Sequence, residues 1–571
     1  MKETQRRLLR PVNVAALLRM RASRLSTGNK PFLIFEGRTW TFRETYRMAR
    51  RYGQLFDDLG GGRQVSVGIY QDNTPDYVFA ILGAAYSNAV IFGLNTGFRG
   101  ETLRGVVAEA GMDAILVEPS LLSVVEEAGL EGVRILVEPE LPEPVGRADL
   151  QPDSRAPYLV IYTSGTTGLP KGVVCSQLKL AGAGWITWRR IGLRSADRGY
   201  LAMPLFHSNA WFLGIMPVLV VGASFVLRRK FSASGFIDDA FENGVTYMNY
   251  VGQPIHYILE ALERRYGDRV EELASDPRNK MRIGHGNGAT AIDREKLVRY
   301  LGMEHIFELY GSTEGTINTI VKPGDPLDSV GRISNFGVVI LDAEGQRCPV
   351  GRVDHNGRLL NYDEAVGEIA RKVDTDNIFF DGYHGNEDAT SSKYSDGYFK
   401  SGDLGHIRVR GFRRYLYFNG RTHDWIRKDG ENFSAATVAS FAMKLPEVSL
   451  AAAYGVPAEV ADEKVMVTVL LEEGVEFDPE VVFKGFEALS VSGGMDPKWF
   501  PDFVRVVGEL ELTETQKIRV RAYKRRHFRI EEGEEVWFRE RGDTAFRLMS
   551  AANYRRLEHK YEDNGRLSLL S

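Results

Sequence analysis

Between residues 65 and 251, short apolar runs alternate with helical stretches, and that alternation constrains the fold more than any other feature. "QVSVGIY", "AVIFGL", "DAILVE", "GYLAMP", "ASFVLRR" and "VTYMNYV" are apolar almost throughout, as strands buried on both faces are. "DYVFAILGAAYSN", "ETLRGVVAEAG" and segments near 178–190, 209–221 and 232–243 read as the intervening helices. Such an order predicts parallel sheets with helices on both faces. Ahead of it, "PFLIFEGRTWTF" reads as a hairpin around Glu36-Gly37, followed by a helix that stops at the glycines 60–62.

A chain of 571 residues is too long for one core. From about 328 the texture changes to dense glycines and short strands, and 398–422 continues in hairpins. After "GRTHD" (420–424) comes a compact α/β pattern with helices near 435–444 and 478–489. The expected fold is α/β. A large N-terminal domain (1–422) holds two parallel-sheet lobes plus a small β-structure. A smaller, mobile α/β domain (423–528) follows, then a charged extension (529–571) expected on the surface.

The net charge of −4 supplies no basic field for nucleic acid. Cys175 and Cys348 stand far apart and suggest neither a disulfide framework nor a zinc cluster. They fit a reducing, cytoplasmic setting. The basic first 24 residues read as a solvated leading helix, with a membrane-surface helix at the inner membrane face and a transit peptide as alternatives. The uncharged run Asn209 to Leu227 could span a bilayer by length. Its Gly214, Pro217 and Gly222 favour instead a buried helix, a break at Gly222 and a strand. Oligomeric state stays open.

"TSGTTGLPKG" (163–172) carries the chemistry. Glycines let backbone N–H groups converge on an anion, here Gly165 and Gly168. Thr163, Ser164, Thr166 and Thr167 add hydroxyl donors, and Lys171 adds charge. The spacing is not that of a Walker A loop. His207, in "MPLFHSNAW", reads either as a core histidine or as a site residue.

The string resembles the phosphate loop of the adenylate-forming superfamily of acyl-CoA synthetases, luciferases and peptide-synthetase adenylation domains. Further motifs follow in the same order. "ELYGSTEG" (308–315) is similar to the family's adenine and metal motif, which spans Glu308, Leu309, Tyr310, Gly311 and Ser312. The resemblance implies Tyr310 against adenine, Thr313 at the α-phosphate and Glu314 on Mg²⁺. "GHGNGAT" (284–290) implies Gly286, Asn287 and Gly288 as the other adenine wall. "YFKSGDLG" implies Asp403 on ribose, "NGRTHDWIRKDGENF" implies Arg421 on ribose or phosphate, and "ETQKIRV" implies Lys517 as the late catalytic lysine. The family also implies that His207 lines the carboxylate and thiol channel, and that Trp211, Phe212 and "NYVGQP" line the acyl pocket.

Within that superfamily, "LRRKFSASGFIDDAFENGVTYMNYVG", "MRIGHGNGA", "YLYFNGRTHDWIRKDGENFSAATV" and "FDGYHGNEDAT" resemble the fatty-acid transport protein and very-long-chain acyl-CoA synthetase branch. Two positions depart from the wider pattern: His423 at the hinge and Gln516 before Lys517. The resemblance implies an ATP-, Mg²⁺- and CoA-dependent ligase of a carboxylic acid, expected to be a fatty acid. Alternatives are an adenylating enzyme with a non-CoA acceptor, serving an aromatic or other acid, and a non-catalytic lipid-uptake protein.

Overall fold

The computed structural model describes residues 13–146, 153–163, 169–289, 291–326, 328–333, 337–354, 359–373, 380–421, 425–428, 431–459, 463–491, 495–512, 518–540, 542–564 and 570. The chain divides into two units: Met1–Gly331 with Val373–Gly397, and Arg332–Lys372 with Tyr398–Ser571.

The first unit contains the two expected parallel sheets. One runs in the order Arg134–Val137, Ala114–Val117, Val65–Tyr70, Ala89–Gly93, Pro157–Thr163, Lys171–Ser176. All neighbours are parallel except the last pair, which is antiparallel. The other runs Asn318–Val321, His305–Gly311, Ile283–Asn287, Tyr247–Val251, Arg198–Leu201, Ser224–Leu227, Pro31–Phe35, Arg38–Thr41, antiparallel only at its two ends. The hairpin turn has Glu36 at φ 46° and Gly37 at φ 78°, the left-handed pair that matches the twist of its strands. The helix Phe42–Gly60 starts with a reciprocal cap between Thr41 and Glu44 and ends at Gly61 in the left-handed conformation.

The apolar run after Asn209 folds as a π-helical turn, Ala210–Ile215, a helix, Met216–Val221, and the strand Ser224–Leu227. Gly222, at φ 81°, makes the break. Among the described residues no helix is long and apolar enough to cross a membrane. The leading helix Val14–Ser23 departs from the solvated reading. Val14, Leu17 and Leu18 are buried, and Arg21 Nε donates to Leu219 O at 3.3 Å. Its short apolar stripe is used inside the protein.

The second unit holds an antiparallel series, Val338–Leu341, Gly367–Lys372, Tyr398–Arg410, Arg413–Arg421. It also holds a five-stranded sheet in the order Val448–Pro457, Glu463–Leu471, Phe503–Val507, Glu534–Phe538, Arg547–Leu548. Helices Ala435–Ala442 and Pro479–Val491 share one core with that sheet, built on Val438, Val467, Phe486 and Val504.

The charged tail is not a surface extension. Its strand Glu534–Phe538 pairs with Phe503–Val507. Its helix Ala551–Asp563 buries Tyr561 against Phe528, and the Tyr561 hydroxyl donates to Pro457 O. Arg505, fully buried, pairs with Glu534 and donates to His527 O at 2.6 Å and Arg529 O at 2.9 Å. The charges lie mostly outward while Phe528, Val536, Phe538 and Tyr561 turn inward, so charge density alone misplaces the segment.

Candidate active site

The strands Pro157–Thr163 and Lys171–Ser176 bracket the glycine-rich loop and pair Thr163 with Lys171 across the ladder. Thr163 Oγ1 donates to Lys171 O at 3.3 Å. Ser164, Gly165, Thr166, Thr167 and Gly168 lie outside the described residues.

A distant segment lies along the second of these strands. Val174 N donates to Gly382 O at 3.0 Å, His384 N to Gly172 O at 2.8 Å, and Ser176 N to Asp381 Oδ2 at 3.1 Å. Tyr383 is thereby fixed between two residues that the motifs single out. Lys171 Nζ stands 5.6 Å from its ring centroid, within cation–π range. Its hydroxyl donates to Glu314 Oε1 at 2.6 Å. Burial works to raise the Glu314 pKa. Hydrogen bonds from Tyr383 and Ser312 and the charge of Lys393 outweigh it and hold the carboxyl below the usual range. Glu314 is thus a buried carboxylate that stays charged.

Thr313 Oγ1 lies 3.0 Å from Ser208 Oγ. That contact joins the strand-end motif to the start of the π-helical turn, where His207 is half-buried with its ring tilted against Phe206. Trp211 is fully buried and donates its indole N–H to Leu205 O at 2.7 Å. π-Helical turns recur at functional sites because they displace side chains from regular helical register.

Glu308, Leu309, Tyr310 and Gly311 end the strand His305–Gly311. Glu308 is buried, accepts from Tyr250 Oη at 2.9 Å and from the Gly288 N–H, and its carboxyl is pushed up to about 7 by desolvation. The glycines around it are required by backbone proximity. A Cβ on Gly252 would stand 1.8 Å from Gly288 O, and one on Gly286 would stand 2.2 Å from Tyr250 O. Gly288 itself has φ 86°. Asn287 Oδ1 is 3.4 Å from Asn209 Nδ2, whose own Oδ1 accepts from Asn249 Nδ2 at 2.7 Å.

In the second unit, Asp403 and Arg421 stand directly opposite in the register of the strands Tyr398–Arg410 and Arg413–Arg421. Asp403 N donates to Ser401 Oγ at 3.0 Å. The Arg421 side chain, His423, Gln516 and Lys517 lie outside the described residues.

The first unit therefore brings Thr163, Lys171, Thr313 and Glu314 into one connected cluster, with Glu308, Gly288 and Asn287 on a neighbouring one. Sequence reasoning missed Tyr383, Ser208 and Tyr250. "FDGYHGNEDAT" was a signal for the first of these; the other two had none beyond their places beside His207 and in "NYVGQP". Among the described residues no cluster of three or more His, Cys, Asp or Glu could hold a metal by itself. One charged carboxylate suits Mg²⁺, which takes few protein ligands and completes its shell with phosphate and water.

A sequence profile of the AMP-binding enzyme family matches residues 20–367. The steroid-22-oyl-CoA synthetase of Rhodococcus jostii is 32% identical, covering 93% of this chain and 94% of its own. The medium/long-chain-fatty-acid–CoA ligase FadD17 of Mycobacterium marinum is 34% identical over 81% of this chain and 87% of its own. The rat long-chain fatty acid transport protein 2 is 29% identical over 86% and 82%. In fold, the anthranilate CoA ligase AuaEII bound to anthranoyl-AMP superposes with a TM-score of 0.75 at 20% identity, covering 90% of this chain and 97% of its own. The chain belongs to the AMP-binding enzyme family.

Proposed function

We propose that this protein joins a large, predominantly hydrophobic carboxylic acid to coenzyme A. It is an AMP-forming acid–thiol ligase that works through an adenylate. The acid class is our reading. It follows the relatives named for steroid and medium- to long-chain acids, which match most of the chain at 32% and 34% identity. The aryl-acid ligase at 20% identity carries the fold alone.

A carboxylate and ATP are both anionic, so the first step needs positive charge and donors at the phosphates. The carboxylate oxygen attacks the α-phosphorus, the bond to pyrophosphate breaks, and an acyl-adenylate forms. The thiol sulfur of CoA then attacks the acyl carbon, its proton is lost, and AMP leaves as the thioester forms. The Lys171–Tyr383–Glu314 arrangement is the observation that carries this reading. It holds a cation near the ring and a charged carboxylate at the hydroxyl of one tyrosine. Mg²⁺, bound through Glu314, would neutralise charge developing on the phosphates.

The remaining roles belong to the same proposal. Gly286, Asn287, Gly288 and the segment Glu308–Ser312 shape the adenine slot around Tyr310. Thr163 and Ser164 to Gly168 cradle the β- and γ-phosphates. Thr313 sits at the α-phosphate and His207 at the acyl channel. Asp403 and Arg421 take the ribose, and Lys517 stabilises the first transition state from a mobile domain that begins near 422 and turns about His423. Acid-dependent ATP–pyrophosphate exchange over fatty, sterol side-chain and aryl acids tests the reading. A profile confined to aryl acids contradicts the acid class. Single-turnover thioester formation in His423→Gly tests the hinge; a wild-type rate removes its special role.

A further inference from the structure

In the second unit, the strands Tyr398–Arg410 and Arg413–Arg421 form a hairpin that outruns its neighbour. The strand Gly367–Lys372 stops opposite Gly405. Beyond that point Gly351 N donates to Ile407 O at 2.8 Å, so the segment 350–353 flanks the hairpin there. The last register pair is Arg410 with Arg413, which leaves Gly411 and Phe412 as the turn. Gly411 has φ 60°, as the first position of a tight two-residue hairpin turn requires. Phe412 therefore stands at the very tip.

Two features of this tip are costly for a protein alone in water. The first is charge. Residues 408–414 read RVRGFRR, with four arginines and no acidic residue. Arg410 lies directly opposite Arg413, and like charges so placed destabilise a strand pair. Arg408 is used locally, donating to His406 Nε2 at 3.0 Å and lying 4.1 Å from the Tyr417 ring centroid. Arg410, Arg413 and Arg414 form no ion pair among the described residues.

The second feature is apolar exposure. Phe412 is fully exposed and Val409 is 51% exposed. The flanking segment adds Val350, Val353 and Leu360, all exposed. Val353 bridges to Leu359, and Leu360 N donates to Arg352 O at 2.7 Å, which holds these residues together. Apolar residues scattered singly over a surface are ordinary, whereas a group gathered at one end of a sheet marks a contact surface.

We propose that this hairpin tip docks on an anionic lipid bilayer. Phe412 enters the boundary between headgroups and acyl chains, and Val409 follows it. Arg410, Arg413 and Arg414 meet the lipid phosphates and carboxylates. Entry end-on lets both faces of the hairpin reach the headgroups. One surface thus relieves both costs, since a bilayer offers hydrocarbon beside negative charge. The exposed aliphatic residues favour a bilayer over nucleic acid, whose bases stack on aromatic rings and give valine and leucine little. The leading helix Val14–Ser23, with its apolar stripe buried, does not supply such a contact. The proposal goes beyond the ligase reading and does not depend on it.

The test is co-sedimentation of the full chain, without substrates, with phosphatidylcholine vesicles that contain or lack phosphatidylglycerol. Binding is expected to the anionic vesicles and to be at least about tenfold weaker to the neutral ones. Arg410→Ala with Arg413→Ala should weaken it by about 30-fold, or about fivefold for each arginine. Arg410→Lys with Arg413→Lys should stay within about threefold of wild type, because charge rather than guanidinium geometry sets the attraction. Phe412→Ala should weaken binding by about tenfold. Its melting temperature should be unchanged, and that of the double alanine variant unchanged or higher, because the opposed charges are gone. No binding to anionic vesicles overturns the proposal. So does equal binding to both vesicle types, binding that survives in the alanine variants, or binding of single-stranded RNA in place of vesicles.

Discussion

The Tyr383 hydroxyl donates to Glu314 Oε1 at 2.6 Å while the Lys171 ammonium lies 5.6 Å from the same tyrosine's ring. One side chain thus orients the carboxylate proposed for the metal and braces the lysine proposed for the phosphates. Tyr383→Phe keeps the ring and removes the hydrogen bond. A bond to a charged group is worth about 1.5–3 kcal/mol. The variant should lose roughly 10- to 100-fold in kcat/KM for ATP in pyrophosphate exchange and need more Mg²⁺ for half-maximal rate. An unchanged Mg²⁺ requirement would show that the hydroxyl does not serve Glu314.

Ser208 and Thr313 meet at 3.0 Å. Ser208→Ala should weaken the positioning of Thr313 and lower the adenylation rate by roughly fivefold, a neutral hydrogen bond being worth about 1 kcal/mol. Single-turnover formation of acyl-adenylate measures this without interference from the thiol step. A loss seen only in the thioester step would assign Ser208 to the acyl channel instead.

Glu308 has a folded-state pKa of about 7, raised above its ordinary value by burial. The folded protein therefore binds more protons at this group than the unfolded chain between about pH 4.5 and 7. Its contribution to stability is full below that window and is lost as pH rises through it, with a slope of at most about 1.4 kcal/mol per pH unit. Glu308→Gln should flatten the decline in melting temperature across the same window. Parallel curves for variant and wild type would contradict the assignment.

Gly252 and Gly288 approach so closely that a Cβ on Gly252 would stand 1.8 Å from Gly288 O. Gly252→Ala must push the two segments apart, at a cost of about 1–3 kcal/mol. Because Gly288 also donates to Glu308, the same shift should raise KM for ATP, which steady-state kinetics would detect. A stable variant with wild-type KM would separate this contact from the nucleotide site.

How much of this was legible in the sequence depended on range. The strands and helices from 65 to 251 followed from local apolar patterning, and the break at Gly222 from one residue. The glycine-rich string 163–172 and the strand-end motif 308–315 stand out as strings because their residues are neighbours in the chain. Tyr383 was not, since its contact with Glu314 depends on the pairing of Gly382 and His384 with the strand Lys171–Ser176. The leading helix was misjudged because its apolar stripe is short but buried. The tail was misjudged because its charges hid the inward positions Val536, Phe538 and Tyr561.

The tail therefore bears on stability. Glu534→Ala leaves the buried Arg505 guanidinium without its carboxylate, and breaking such a pair costs about 3–5 kcal/mol. Denaturant unfolding should show that loss. Glu532→Ala, at an exposed position, should change stability by less than about 0.5 kcal/mol. Equal effects would mean that Arg505 is satisfied by its carbonyl partners alone.

The most direct measurement follows the products of the wild-type enzyme with ATP, Mg²⁺ and a long-chain or sterol side-chain acid. Pyrophosphate exchange should require the acid but not CoA. Addition of CoA should then release one AMP for each thioester formed. No exchange with any acid, or formation of ADP in place of AMP, would contradict ligation through an acyl-adenylate.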